Sequence, residues 1–188
     1  MNLRQRPGLL HCSNTKPRRL RLDGAAGRWI ATALFMGLLP SLALARDSLG
    51  VFGSWAAFRD TAPPHCFAIA APVRRHRHPR WAPFVAVADW PASGTRAQLH
   101  VRLREARPAG APVTLSIGER HFRLIGAGAD AWAADAGADR TIVAAMRGGS
   151  SLSIETTDAR GKPLVDVYRL GGAATAIDAA ALGCARRL

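Results

Sequence analysis

Two runs near the carboxyl end decide the fold of this chain: Ser151-Leu-Ser-Ile-Glu-Thr-Thr-Asp158 and Leu164-Val-Asp-Val-Tyr-Arg-Leu170. In the first run Leu152 and Ile154 alternate with polar residues, as in a strand with one buried face. The second run is rich in β-branched and apolar residues, and residues 159–163 between the two have the composition of a turn. Together the runs predict a β-hairpin.

An alanine-rich helix is predicted directly after the hairpin. Thr175-Ala-Ile-Asp178 has the pattern of a capping box at a helix start, and Gly183 is typical of a helix end just before Cys184. The stripe of apolar residues on this helix consists of Ala173, Ala176, Ile177 and Ala180.

The segment before the hairpin has the pattern of a mainly β protein. Strands are predicted at residues 49–58, 66–71, 81–90, 98–104, 113–117, 120–125 and 131–133. A helix capped by Asp139 and closed by Gly148-Gly149 follows them. Many short strands separated by turn residues predict one mature β-rich domain at residues 46–188, an antiparallel β-sandwich or partly closed barrel with two short helices.

Residues 1–45 have the three-part layout of a signal peptide for export. A basic segment precedes an apolar run at residues 29–44, which ends in the small-residue pattern Ala43-Leu-Ala45. Pro40 interrupts this run, and a membrane span needs ~20 apolar residues, so an uncleaved anchor is the less favoured alternative. We expect Sec export, cleavage between Ala45 and Arg46, and a periplasmic or secreted product without a transmembrane span.

The positive charge of the chain is concentrated in this leader. The whole sequence has a formal net charge of +13, and seven of its 26 basic residues lie within residues 1–28 beside one acid. The remainder has 19 basic and 12 acidic residues, a net charge of +7. Much of the charge therefore belongs to targeting, and we predict no specific binding of nucleic acid.

Export makes a disulfide the expected state of the remaining cysteines. Cys12 is removed with the leader, and Cys66 and Cys184 then lie in an oxidising compartment, where a pair is normally bridged. A catalytic or metal-binding cysteine is the alternative, but the wide separation of the two excludes a CxxC redox motif. We predict one Cys66–Cys184 disulfide that joins a strand to the last helix.

Several motifs resemble those of the invasion associated locus B proteins, small exported proteins of Gram-negative bacteria. The resemblance covers nearly all of residues 49–184. It rests on Phe52-Gly-Ser-Trp55, Cys66 at the start of a strand, Val113-Thr-Leu-Ser-Ile117, Ile142-Val-Ala-Ala-Met146, Tyr168-Arg-Leu-Gly-Gly172 and Ala176-Ile-Asp178. It implies a β-rich envelope protein whose relatives are associated with entry into host cells and have no established enzymatic chemistry.

The favoured function is therefore a non-enzymatic binding or structural role, without a cofactor. GxSxG, HExxH, Walker and Rossmann motifs are absent from the sequence. The alternative is a small periplasmic enzyme whose acid-base groups are dispersed along the chain. The available groups are Asp60, His65, His100, His121 and Asp178.

Two other patterns have ordinary explanations. His76-Arg-His78 has a spacing found in metal sites, but the surrounding arginines would repel a divalent cation, so we predict no metal. Four tryptophans are predicted to pack in the core or at its rim rather than to form a platform on which a ligand stacks. They are Trp55, Trp81, Trp90 and Trp132.

The first prediction concerns processing. The mature protein should begin at Arg46 and be found outside the cytoplasm, because only the preceding segment has the layout of a signal peptide. Intact-mass measurement of the protein from its native host tests this. A mature species that retains residues 29–44 would support the anchor instead.

The second prediction concerns a basic loop that should bind anionic components of the envelope or of a host surface nonspecifically. Its cations are Arg74, Arg75, Arg77 and Arg80. No acid occurs between Thr61 and Ala88, so these arginines cannot be buried beside local partners. A simply solvated loop is the alternative.

Binding by this loop should weaken as salt rises, because exposed charges are screened over ~8–10 Å at physiological ionic strength. It should strengthen below about pH 6.5 as His76 and His78 become protonated. Co-sedimentation with anionic liposomes or heparin measures both effects. Retention that is unchanged when the four arginines are replaced by serine would contradict the assignment.

Overall fold

The computed structural model of the protein describes residues 46–74 and 81–185, which form ten strands and two α-helices. The strands are β1 (Asp47–Phe52), β2 (Trp55–Thr61), β3 (Pro64–Ala70), β4 (Phe84–Trp90), β5 (Thr95–Arg102), β6 (Val113–Ile117), β7 (Arg120–Leu124), β8 (Asp130–Trp132), β9 (Ser151–Thr157) and β10 (Pro163–Arg169). The helices are α1 (Ala136–Gly148) and α2 (Ala173–Ala185).

The strands form two antiparallel sheets. The larger has six strands in the order β1-β2-β3-β4-β5-β8, and the smaller has four in the order β10-β9-β6-β7. Apolar side chains from both sheets and both helices form one core. Of the two architectures that the sequence allows, the structure is therefore the β-sandwich with two helices, because the described strands do not close into a barrel.

The predicted carboxyl-terminal hairpin is confirmed as β9 and β10. Tyr168 pairs with Leu152, and both side chains are buried in the core. Between them and the turn, Val165 and Val167 face outwards and are 49% and 43% exposed. The alternation of buried and exposed residues sets the register, since a slip by one residue would turn the core side chains to solvent.

The amino-terminal region differs from the prediction. Instead of one strand at residues 49–58, β1 and β2 form a hairpin that turns at Gly53, whose φ is 59°. The turn lies against the loop before α2: Ser54 N donates to Gly171 O at 3.0 Å, and a Cβ on Gly172 would lie 1.8 Å from Phe52 O. Only glycine fits this close approach of two backbones.

Helix α2 packs across β1, β2, β3 and β4 on the inner face of the larger sheet. The predicted stripe of Ala173, Ala176, Ile177 and Ala180 is confirmed as its buried face. Its bounds were predicted wrongly, because the helix begins before Thr175 and continues through Gly183. A Cβ at Gly183 would lie 2.5 Å from Leu49 Cδ1, so this glycine allows close packing rather than ending the helix.

The predicted disulfide joins this helix to the sheet. Cys66 of β3 is bonded to Cys184 of α2, with the two Cα atoms 5.8 Å apart and a sequence separation of 118. Both cysteines are buried. A disulfide typically stabilises a fold by about 2–4 kcal/mol. Within the described ranges neither helix is long and apolar enough to span a membrane.

Asp139 has a different role from the predicted one. Helix α1 is capped by Asp135, whose side chain accepts a hydrogen bond from Ala138 N at 2.8 Å. Asp139 lies in the first turn, is 7% exposed, and accepts from Leu99 N of β5 at 2.8 Å. Strand β8 pairs with β5 only from His100 onwards, so the carboxylate supplies the partner that the edge of β5 lacks at Leu99.

The third prediction follows from this contact. Burial raises the pKa of the Asp139 carboxyl, while the hydrogen bond from Leu99 N lowers it by less. A carboxyl whose pKa is higher in the folded state costs stability as pH rises from its ordinary pKa of 3.8 through the folded value. The side chain of Asp139→Asn still accepts the hydrogen bond from Leu99 N but carries no charge. The free energy of unfolding of this variant should therefore increase relative to that of the wild type as pH rises above 4.

Asp139→Ala is the matched control variant. It leaves the amide of Leu99 without a partner at every pH, so it should be about 1–3 kcal/mol less stable than the Asn variant throughout. Urea unfolding of the three proteins between pH 3.5 and pH 7 measures both effects. A constant difference between the Asn variant and the wild type would show that the Asp139 charge carries no cost.

Candidate functional site

The outer face of the six-stranded sheet is apolar although both helices pack on the opposite face. In Phe84-Val-Ala-Val-Ala-Asp-Trp90 of β4, Val85 and Val87 enter the core while Ala86 and Ala88 alternate with them on the other side. Strand β3 has the same property, with Phe67 and Ile69 facing outwards. A sheet with apolar residues on both faces is normally covered by other elements on both. An apolar face that is left uncovered is a candidate binding surface.

A groove of about 460 Å³ lies on this outer face. Ala86 and Ala88 form its floor, and two groups of rings stand on either side of them. The first group, called the β3 cluster, is His65, Phe67 and Trp90; the second, the β5 cluster, is Phe84, His100 and Trp132. We call the whole feature the outer groove. Its volume lies in the range of about 300–1,000 Å³ that is typical of ligand sites.

The β3 cluster is a continuous stack. The imidazole of His65 lies 4.3 Å from the ring of Trp90 with an interplanar angle of 7°, and 5.1 Å from the ring of Phe67 at 17°. Neighbouring strands place these rings together, because side chains opposite each other on one sheet face are close enough to stack. The indole N–H of Trp90 is buried without a hydrogen-bond partner among the described residues, a cost that is rare outside functional or strained sites.

The β5 cluster repeats this arrangement. His100 stacks on Trp132 with ring centres 5.0 Å apart at 4°, because the two residues are paired across β5 and β8. Phe84 meets the same imidazole edge-on at 5.1 Å and 87°. Trp90 and Trp132 are half-buried, so part of each indole remains accessible from the groove.

An ion pair borders each cluster. Arg46 donates from Nε and Nη2 to the two carboxylate oxygens of Asp60 at 2.8 and 2.9 Å, and its guanidinium lies 5.1 Å from the ring centre of Phe67. At the other side Arg102 donates to Asp130 Oδ1 at 2.6 Å. The charges at the groove are therefore neutralised locally.

The histidines are held by defined hydrogen bonds. A carbonyl can only accept, so the 2.9 Å contact between His65 Nδ1 and Pro63 O places the proton on Nδ1. By the same argument His100 Nε2 donates to Asp130 Oδ1 at 2.7 Å. Each imidazole is thus fixed in orientation by one nitrogen as well as by its stacked indole.

The structure brings together three of the five acid-base groups that the sequence offered and places the other two elsewhere. His65 and His100 both line the outer groove, and Asp60 lies beside His65 at the β2–β3 hairpin, with Oδ2 3.7 Å from His65 Nε2. His121 is on the outer face of the smaller sheet, bonded to Ser116 Oγ at 2.9 Å. Asp178 is on α2, with an Arg147 hydrogen bond at 2.6 Å.

The two carboxylates of that set have low pKa values. Hydrogen bonds from Arg46 hold the pKa of Asp60 below its ordinary value, and those from Arg147 do the same for Asp178. A general acid or base that works near neutral pH needs a pKa near that pH. Both groups are shifted in the opposite direction, and their arrangement suits ion pairing better than proton transfer.

A smaller hollow of about 250 Å³ lies next to the disulfide. Cys184 and Gly183 of α2 line one side of it, and Asp60 and His65 line another. His65 therefore separates this hollow from the outer groove. The cysteine is oxidised, so the hollow presents no thiol.

The remaining sequence candidates are placed as follows. Arg46, the predicted first residue of the mature protein, lies at the groove. Arg74 is exposed beside β10, near the point where Val73 N donates to Val167 O at 2.8 Å. Ala45 and the other three loop arginines, Arg75, Arg77 and Arg80, lie outside the described residues. No cluster of three or more metal-ligating side chains occurs within residues 46–74 and 81–185.

The tryptophans divide into two pairs. Trp55 is 1% exposed and its Nε1 donates to Arg169 O at 2.8 Å, and Trp81 packs against the core, as predicted. Trp90 and Trp132 lie half-buried on the outer face of the larger sheet, where they belong to the two ring clusters. The prediction of packing in the core or at its rim did not indicate this face. The β4 sequence offered an indication, because it is apolar at both alternating sets of positions, but a single strand does not show which rings meet.

The comparisons with known proteins concern the fold. No protein-family model matches the sequence, and no curated protein is matched by sequence. The structure is similar to the crystal structure of invasion associated protein B from Bartonella henselae, with a TM-score of 0.54 over 73% of this chain and 98% of that one. The two sequences are 20% identical. The resemblance inferred from the sequence motifs is thus confirmed at the level of the fold.

Proposed function

We propose that this chain is an exported, non-enzymatic envelope protein that binds a partner through its outer groove. One observation carries the proposal: a sheet face that no described element covers presents two ordered aromatic clusters around an alanine floor. Rings fixed by stacking and by hydrogen bonds lose little conformational freedom when they contact a ligand. Such a preorganised apolar face favours binding.

Export is the second part of the proposal. The layout of residues 1–45 and the disulfide both suit the periplasm or the exterior of a Gram-negative cell. The similar Bartonella protein is named for its association with invasion. By analogy, we place the partner of this chain on the envelope itself or on the surface of a host cell.

The basic loop assists in this proposal. Arg74 is exposed, and three further arginines follow it in sequence. Long-range electrostatic attraction by such a loop raises the concentration of the protein near an anionic surface. It does not select a particular ligand. Specific recognition is assigned to the outer groove, whose own cations are paired with Asp60 and Asp130.

The fourth prediction tests the groove as a binding surface. Trp90→Ala and Trp132→Ala should each weaken retention of the mature protein on envelope fractions or cultured host cells by about tenfold, because a truncated aromatic anchor commonly costs more than 1 kcal/mol of binding. Retention is measured by sedimentation at several protein concentrations. Both rings are outside the core, so the variants should keep a cooperative thermal transition.

His121→Ala is the matched control, because His121 is exposed on the other sheet. A photo-crosslinking residue at Gln98, which lines the groove, should capture the partner, whereas the same residue at Thr114 on the smaller sheet should not. Equal retention of the groove variants and the wild type would contradict the proposed function.

A further inference from the structure

We infer that the ligand of the outer groove is a neutral saccharide, bound with its ring faces against Trp90 and Trp132; this inference rests on the proposed function. A hexose ring presents C–H groups on its faces and hydroxyl groups around its edge. It needs flat apolar surfaces and nearby groups that both donate and accept hydrogen bonds. The outer groove combines these two properties.

The apolar surfaces are the half-buried indoles at the two sides of the alanine floor. Ala88 and Gln98 are paired between β4 and β5, two pairs along the register from Ala86 and His100. The floor between the two clusters carries only the small side chains of Ala86 and Ala88. A volume of about 460 Å³ suits a segment of more than one sugar.

The hydrogen-bonding groups lie at the border of the same groove. Gln98 offers an amide that donates and accepts. Asp60 and Asp130 offer carboxylate oxygens, and each is fixed in place by an arginine at 2.6–2.9 Å. A hydroxyl group can donate to the carboxylate and accept from the guanidinium, so it joins such a pair without leaving either charge unpaired.

The charge of the groove favours a neutral ligand over an acidic one. Arg46 is paired with Asp60, while Arg102 and His100 both donate to Asp130. An anionic ligand would have to compete with these carboxylates for the same guanidinium groups. The cations of the basic loop lie elsewhere in the sequence.

The position of the groove disfavours a peptide main chain. Its floor and most of its rings belong to β3, β4 and β5, each hydrogen-bonded to a strand on both sides. A peptide that binds by adding a strand needs a free edge with open N–H and C=O groups. Recognition at the centre of a sheet must depend on side chains, as stacking and hydroxyl contacts do.

The fifth prediction tests this inference on the intact mature protein with defined probes. Printed glycans comprising neutral oligosaccharides and their sialylated or sulfated forms identify a ligand, and titration calorimetry with the corresponding free oligosaccharide measures the affinity. A neutral oligosaccharide should bind and should shift the tryptophan fluorescence. Trp90→Ala and Trp132→Ala should weaken this binding by at least about tenfold, whereas Trp90→Phe, which keeps a flat ring, should retain much of it.

The controls separate the possible failures. His121→Ala and the four-serine variant of the basic loop should bind the neutral oligosaccharide like the wild type. Binding only to acidic glycans, lost in the four-serine variant and kept in the tryptophan variants, would overturn the inference. If no saccharide binds but cell or envelope retention still depends on Trp90 and Trp132, the saccharide inference fails alone. If retention does not depend on them either, the proposed function fails as well.

Discussion

The close packing of α2 on the inner face of the six-stranded sheet is the contact on which the rest of the structure depends. Alanines at 173, 176 and 180 on the helix meet a sheet face that is itself rich in alanine, at positions 57, 68 and 70. Small side chains allow a helix to approach a sheet closely. Each of them, however, buries little apolar surface area. The Cys66–Cys184 bond and the glycine contacts at Gly172 and Gly183 secure this thin interface.

This arrangement explains why the outer face differs from the inner one. The helices and the smaller sheet cover the inner face with one core, whereas the two ring clusters stand on the outer face. There the rings stack within each cluster on either side of the β4 floor, where Ala86 and Ala88 are 6% and 8% exposed. Trp90 and Trp132 of the same clusters are half-buried, so they shield the sheet from water and still expose part of each indole.

Local patterns predicted the strands well and the site poorly. The hairpin of β9 and β10 and the predicted strands at 98–104 and 113–117 alternate clearly between apolar and polar residues, so their faces could be assigned from the sequence. The local sequence around Asp139 predicts a helix cap, because a cap depends on a few neighbouring residues. The observed partner of Asp139, Leu99, is 40 residues away, and no local pattern indicates it. The stacks of His65 on Trp90 and of His100 on Trp132 depend in the same way on strand pairing across loops, which no single segment specifies.

The position of Arg46 at the groove makes the groove sensitive to how the amino terminus of the polypeptide is processed. If the leader is removed after Ala45, the guanidinium that orients Asp60 belongs to the newly created amino terminus, beside a free ammonium group. An aminopeptidase that removed one residue would free the Asp60 carboxylate and uncover the ring of Phe67. Residues of an affinity tag left before Arg46 would instead add extra polypeptide at the same edge of the groove. Two preparations of identical fold could then differ in ligand affinity solely through the chemistry of their first residue.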